Sequence, residues 1–176
     1  MKPWPLKDAL FLGFCAVLII AARAALRLHL KIPGHSMLFT LFFLLLARGC
    51  VRNNMAASFT ALLAGIMALI LGMGKGGPLI LLKYLLPALV VDVMAVVLAD
   101  SLFRSMLLCM LTAVLAASTR FISDGVMDML AGMEFSVMIQ HAGLQTASNA
   151  VFGGIGALAV PAVLRKLSAF GAIEPS

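Results

Sequence analysis

Four ionisable residues stand inside apolar stretches of this chain: Arg23, Lys83, Asp92 and His141. A charge placed in hydrocarbon is costly, so each marks either a helix contact or a ligand site. Arg23 lies about a turn and a half from the far end of the first apolar segment, where it either snorkels to the headgroups or joins an ion pair. Lys83 and Asp92 share one segment but are separated by roughly 14 Å along a helix, so they cannot pair with each other. Lys83 adjoins Tyr84 and precedes Pro87 by four residues, and the missing N–H of the proline frees a backbone carbonyl. A cation, a phenol and a free carbonyl within one turn suit ligand binding, with snorkelling of the lysine as the plain alternative. Asp92 is deeper, and it requires a hydrogen bond from a neighbouring helix or a ligand contact.

His141, Gln145, Ser148 and Asn149 follow the i, i+4, i+7, i+8 spacing of a single helical face, with Gln140 and Thr146 beside it. Such a face does not look at lipid tails, and it lines a polar cavity or a helix interface. His35 and Ser36 open another apolar segment just after Ile32-Pro33-Gly34, a sequence that stops one helix and restarts the chain in an ordered turn.

Catalytic and metal-binding patterns are missing. The chain has no Gly-x-Ser-x-Gly, no His-Glu-x-x-His and no phosphate loop ending in Lys-Ser or Lys-Thr, so it is not read as an enzyme and no catalytic residue is assigned. Gly72-Met73-Gly74-Lys75-Gly76-Gly77-Pro78 lacks that ending and suits a tight turn. Histidines His29, His35 and His141 show no i, i+4 pair, and the twelve methionines are scattered, so no metal or cofactor is expected. Cys15, Cys50 and Cys109 read as small buried hydrophobes.

The elements that must position these residues are helices in a bilayer. Hydrophobic residues make up 63% of the 176 and charged residues 11%, which is too few charges to cover a water-facing surface. The mean hydropathy of +1.12 and near-continuous apolar runs fit an all-α polytopic membrane bundle of about six transmembrane helices in a single domain. The expected spans are residues 8–30, 37–50, 55–73, 79–99, 105–121 and 141–164. The first is read as a span and not a cleaved signal, because the run is long and Arg23 and Arg27 interrupt its far end. Residues 122–140, with Asp124, Asp128, Glu134 and Gln140 among methionines and small apolar residues, are too amphipathic for a lipid-exposed span. They read as an interfacial helix or a folded-in lid.

The net charge of +6 resides mostly in single basic residues at the ends of apolar runs, which reports membrane topology and argues against nucleic acid as a partner. Lys2, Lys7, Arg48, Arg52, Arg104, Arg165 and Lys166 on one side outnumber Arg27, Lys31, Lys75 and Arg120 on the other. The bias places both termini in the cytoplasm and the chain in the cell membrane.

The layout resembles the substrate-binding S components of energy-coupling factor (ECF) vitamin transporters, which are small six-helix proteins without an ATP-binding motif. The residues that carry the resemblance are Ala21-Ala22-Arg23-Ala24-Ala25 and Leu30-Lys31-Ile32-Pro33-Gly34-His35-Ser36, followed by Leu62-Leu63-Ala64-Gly65-Ile66, Gly76-Gly77-Pro78 and Lys83-Tyr84-Leu85-Leu86-Pro87. It implies docking through small residues, here Ala21 and Ala25, onto a membrane scaffold subunit coupled to two cytoplasmic ATPases. It also implies a small-molecule substrate bound near the outer side, which maps onto His35, Ser36, Lys83, Tyr84, Glu134, His141, Gln145 and Asn149. The metal-transporting relatives carry a histidine beside the initiator methionine, where this chain has Lys2.

The leading expectation is thus substrate capture for an ATP-driven vitamin or vitamin-precursor uptake system. The alternative is an autonomous small oligomeric channel or carrier, which needs polar residues continuous across the bilayer. A membrane enzyme acting on lipid would need carboxylates or histidines gathered at one depth, and Asp124, Asp128 and Glu134 have no recognisable catalytic partner in sequence.

Overall fold

The computed structural model describes residues 5–29, 34–51, 53–73 and 77–169, with side chains described throughout these except at 26–29 and 100. Lys31, Ile32 and Pro33 of the expected outer turn, and Gly74, Lys75 and Gly76 of the glycine-rich turn, lie outside the described residues. Among the described residues every regular element is helical: α1 (Leu6–His29), α2 (His35–Cys50), α3 (Ala56–Ile70), a short 3₁₀ turn (Gly77–Leu79), α4 (Ile80–Leu98), α5 (Asp100–Arg104), α6 (Met106–Ser118), α7 (Arg120–Leu130), α8 (Phe135–Leu158) and α9 (Val160–Ala169).

Four stretches are long and apolar enough to cross a bilayer: Leu6–Ala25, Gly77–Leu98, Met106–Leu130 and Phe135–Ala169. The shorter apolar helices α2 and α3 complete a set of six, and the chain is a multi-pass membrane protein. At 16 residues, α2 reaches only roughly 24 Å, less than a bilayer's hydrocarbon thickness. Its surroundings explain how so short a rod is tolerated. It packs against α1, α3, α4, α6, α8 and α9, and it buries Met37, Thr40, Leu41, Leu44, Leu45, Leu46 and Ala47. It is a core helix held inside the bundle, with little of its length in need of matching to lipid.

Two of the long stretches contain breaks with local causes. Between α6 and α7, Ser118 Oγ donates to the Val114 carbonyl at 2.9 Å and Thr119 Oγ1 to the Ala116 carbonyl at 2.7 Å. Hydroxyls bonded back to the preceding turn bend a helix. Between α8 and α9, Pro161 has no N–H with which to continue the ladder. Pro87, in contrast, lies within α4 without ending it. The residues 122–140 fall in three places: the body of α7, a turn at 131–134, and the first turn and a half of α8.

Close approach of α2 and α8 depends on two glycines. Gly34, at φ 90° on the threshold of α2, sits where an added Cβ would come within 2.6 Å of Ser148 Oγ and 2.8 Å of the Ser148 carbonyl carbon. Gly156 lies directly on the backbone of Leu38, and an added Cβ would strike its carbonyl oxygen. Small residues at such crossings replace the missing hydrophobic drive between helices in lipid with tight van der Waals packing. Helix α2 runs in the direction of α8 and α9 taken together, since Gly34 meets Ser148 of α8 at one end of α2 and Gly49 meets Leu164 of α9 at the other.

Candidate functional site

Helix α1 rises from Leu6 and finishes at His29, and the bundle end at which it finishes holds the buried Arg120, Asp124 and Asn149. Arg23, about two turns from that end, is half-buried and donates from Nη1 to Tyr84 Oη at 2.7 Å. Its guanidinium carbon also stands 5.3 Å from the Tyr84 ring centroid, in cation–π range. Tyr84 is fully buried in the first turns of α4. The arginine thus turns inward to a phenol, and the ion pair or headgroup contact expected for it is not what the geometry shows.

Immediately before Tyr84 in α4 lies Lys83, whose Nζ is 2.6 Å from Asp124 Oδ1 of α7. Asp124 is 2% exposed. The contact is an ion pair and not a directed hydrogen bond, since neither carboxylate oxygen has a hydrogen-bond partner among the described residues. One turn before Asp124, Arg120 begins α7 and is 4% exposed. It lies within electrostatic reach of Arg23, Asp124 and Tyr84, so the four form one cluster. Its Nε and Nη2 have no hydrogen-bond partner among the described residues.

The register of α6 and α7 against α8 brings the amides of α8 to the same level. Ala117 Cβ lies 3.7 Å from where a Cβ on Gly153 would sit, and Asp128 Oδ2 accepts from His141 Nδ1 across 2.9 Å. Two antiparallel contacts so placed bracket Arg120 and Asp124 opposite Gln145, Thr146 and Asn149. Asn149 is 2% exposed, and its Nδ2 has no partner among the described residues, nor has Thr146 Oγ1.

The structure therefore places the sequence candidates in two groups. Lys83, Tyr84, Gln145 and Asn149 belong to the level of the buried cluster, while His141 and Glu134 are exposed at its rim, Glu134 at the start of α8. His35 and Ser36 open α2, both half-buried, and the Ser36 carbonyl accepts from Thr40 Oγ1 at 2.8 Å. Ala21 and Ala25 are exposed on the outer face of α1. The residue that sequence reasoning missed as a site candidate is Arg120, counted there only as a topology charge. Its one sequence signal was its place between a long apolar run and a second amphipathic helix, four residues before Asp124.

Asp92 has a different task at the opposite end of α4. Its carboxylate accepts the backbone N–H of Ala57 at 3.1 Å and of Ser58 at 2.8 Å, and the Ser58 hydroxyl at 2.6 Å. Arg48 Nε stands 3.6 Å away. The first N–H groups of a helix have no intrahelical partner, and a carboxylate there meets both the hydrogen bonds and the helix dipole. Asp92 is accordingly a cap for α3 supplied from α4. A shallow groove beside it, walled by Met55, Leu89, Val93 and Val96, is apolar and opens outward. Among the described residues, no three His, Cys, Asp or Glu side chains gather into a set suited to a metal ion.

No protein-family model and no curated protein matches the sequence. Among solved structures, the chain is similar to one described as an S-component of an ECF transporter, with a TM-score of 0.69 over 98% of this chain and 91% of that one, at 14% identity. So high a coverage at so low an identity is a likeness of fold, and the fold of this chain is that of an ECF-transporter S component.

Proposed function

We propose that this protein is the substrate-capture subunit of an ATP-driven uptake transporter for a vitamin or vitamin precursor, working with a separate membrane scaffold and two cytoplasmic ATPases. The observation that carries this reading is the cluster of Arg23, Lys83, Tyr84, Arg120 and Asp124 at one end of an otherwise apolar bundle, with hydrogen-bonding groups left unused. Buried polar groups are almost always paired within a protein, and a group of unused ones at one level fits a binding site. With the termini in the cytoplasm, as the basic residues favour, this end faces outside.

The channel alternative fares worse. Between Tyr84 and Asp92, α4 carries only Leu85, Leu86, Pro87, Ala88, Leu89, Val90 and Val91, so the polar groups at its two ends are separated by an apolar plug. For docking, α1 presents Leu10, Phe14, Val17, Ala21 and Ala25 as one exposed stripe, narrowing to alanine toward the substrate end.

The test is thermal unfolding of the purified protein against a panel of vitamins and their precursors, together with co-purification on co-expression with an ECF scaffold and ATPases. A ligand that raises the melting temperature and a stable complex support the proposal. No stabilisation by any compound, combined with no association, overturns it.

A further inference from the structure

We infer that the substrate is an anion, held by a carboxylate or phosphate group at the Arg120 end of the buried cluster; this rests on the substrate-capture reading above and narrows it to a chemical class. The argument is a count of charge and of donors. Three cations, Arg23, Lys83 and Arg120, share the cluster with one carboxylate, Asp124. Asp124 is engaged by Lys83, and Arg23 is met by the Tyr84 hydroxyl. Arg120 remains, 4% exposed, with two of its nitrogens unpaired among the described residues. Asp128, the next carboxylate along α7, is drawn to His141 at the exposed rim.

A buried guanidinium with unmet N–H groups is expensive, and burial of charge is tolerated only when it is paired. Asn149 adds an unpaired amide N–H₂ on the facing helix, at the level of Arg120. Guanidinium and amide are both donors, and the planar fork of arginine matches the two oxygens of a carboxylate or phosphate. A cationic substrate would face an excess of like charge here, with Asp124 already engaged. A neutral one would leave the excess of positive charge in the cluster, and the unmet N–H groups of Arg120, as they stand.

Two measurements on the full chain in detergent test this. The first needs no ligand: Arg120→Met removes an unpaired buried charge, so the ligand-free variant is expected to melt roughly 2–4 °C higher than the parent. A lower melting temperature would show that the guanidinium is satisfied within the fold and would overturn the inference. The second compares matched pairs that differ in charge: nicotinate with nicotinamide, pantothenate with panthenol, biotin with biotinamide, and pyridoxal 5′-phosphate with pyridoxal. The acidic member of a binding pair is expected to bind at least tenfold tighter and to lose at least tenfold in Arg120→Gln. Tighter binding of the neutral member, or binding tolerant of Arg120→Gln, overturns the anion assignment and leaves substrate capture standing. Should all pairs be silent, the ligand-free comparison decides the anion assignment, and association with the scaffold decides substrate capture.

Discussion

Lys83 Nζ and Asp124 Oδ1 stand 2.6 Å apart between α4 and α7, the carboxylate almost wholly enclosed, and this ion pair ties the amphipathic helix α7 to the bundle. Removing one partner of a buried pair leaves an uncompensated charge, whereas removing both does not. Lys83→Met is therefore expected to cost about 3 kcal/mol of stability, and Lys83→Met/Asp124→Asn to cost less than the sum of the single variants. A thermodynamic cycle in detergent checks it, with a coupling on the order of 1–3 kcal/mol expected. Strict additivity would mean that the two charges do not sense each other.

The carboxylate of Asp92 acts on the fold and not on the substrate, since it spends its oxygens on Ala57 N–H, Ser58 N–H and Ser58 Oγ. Asp92→Ala exposes two unmet helix N-terminal donors and leaves Arg48 without its counter-charge. A loss of roughly 2–4 kcal/mol is expected, with the affinity for a ligand from the test panel unchanged in the fraction that folds. Isothermal titration alongside thermal unfolding separates the two readouts, and a selective loss of affinity would place Asp92 in the binding site.

Neighbouring glycines of α8 should respond oppositely to the same change. At Gly156 a new Cβ meets the Leu38 carbonyl, backbone that has no rotamer to escape to. At Gly154 it meets Met110 Cγ and Val114 Cγ2 at 3.5 Å, an ordinary contact. Gly156→Ala is expected to destabilise by about 1–3 kcal/mol through overpacking. Gly154→Ala is expected to be neutral or stabilising by up to about 1 kcal/mol, because alanine is the better helix former. Melting temperatures of the two variants, purified in parallel, check the contrast.

The all-helical membrane bundle was legible because hydropathy alone dictates it: a chain with so few charges has no other solvent. That Lys83 and Tyr84 share the first turns of one helix was also readable, since they are adjacent in an apolar run that opens after Gly76-Gly77-Pro78. Their partners were not. Helical periodicity reports which residues share a face, but it carries no information on which helix lies opposite, so neither Asp124 for Lys83 nor Ser58 for Asp92 could be named. Arg120 escaped for a related reason. At the junction of α6 and α7 it stands at the end of an apolar run, where a charge ordinarily reaches headgroups, and only the packing of α7 onto α4 and α8 turns that position inward. Residues 122–140, which the sequence reads as an interfacial helix or a folded-in lid, supply most of α7, and their mixture of acids and methionines does not say which neighbour Asp124 meets.

The exposed alanines of α1 give the sharpest separation between capture and delivery. Ala21 and Ala25 lie one turn apart on the stripe that also carries Phe14 and Val17, and among the described residues that face has no cover from the rest of the bundle. A small residue there permits close approach of another helix, and a large one prevents it. Ala21→Leu/Ala25→Leu is expected to leave the melting temperature and the ligand affinity of the isolated protein within error of the parent, since the new side chains meet only lipid. Uptake in cells and co-purification with the scaffold are expected to fall at least tenfold. Conversely, Arg120→Gln should retain scaffold association while losing affinity, so the two variants place binding and docking on opposite sides of α1. Unimpaired uptake by the double-leucine variant would remove this face from the proposed interface.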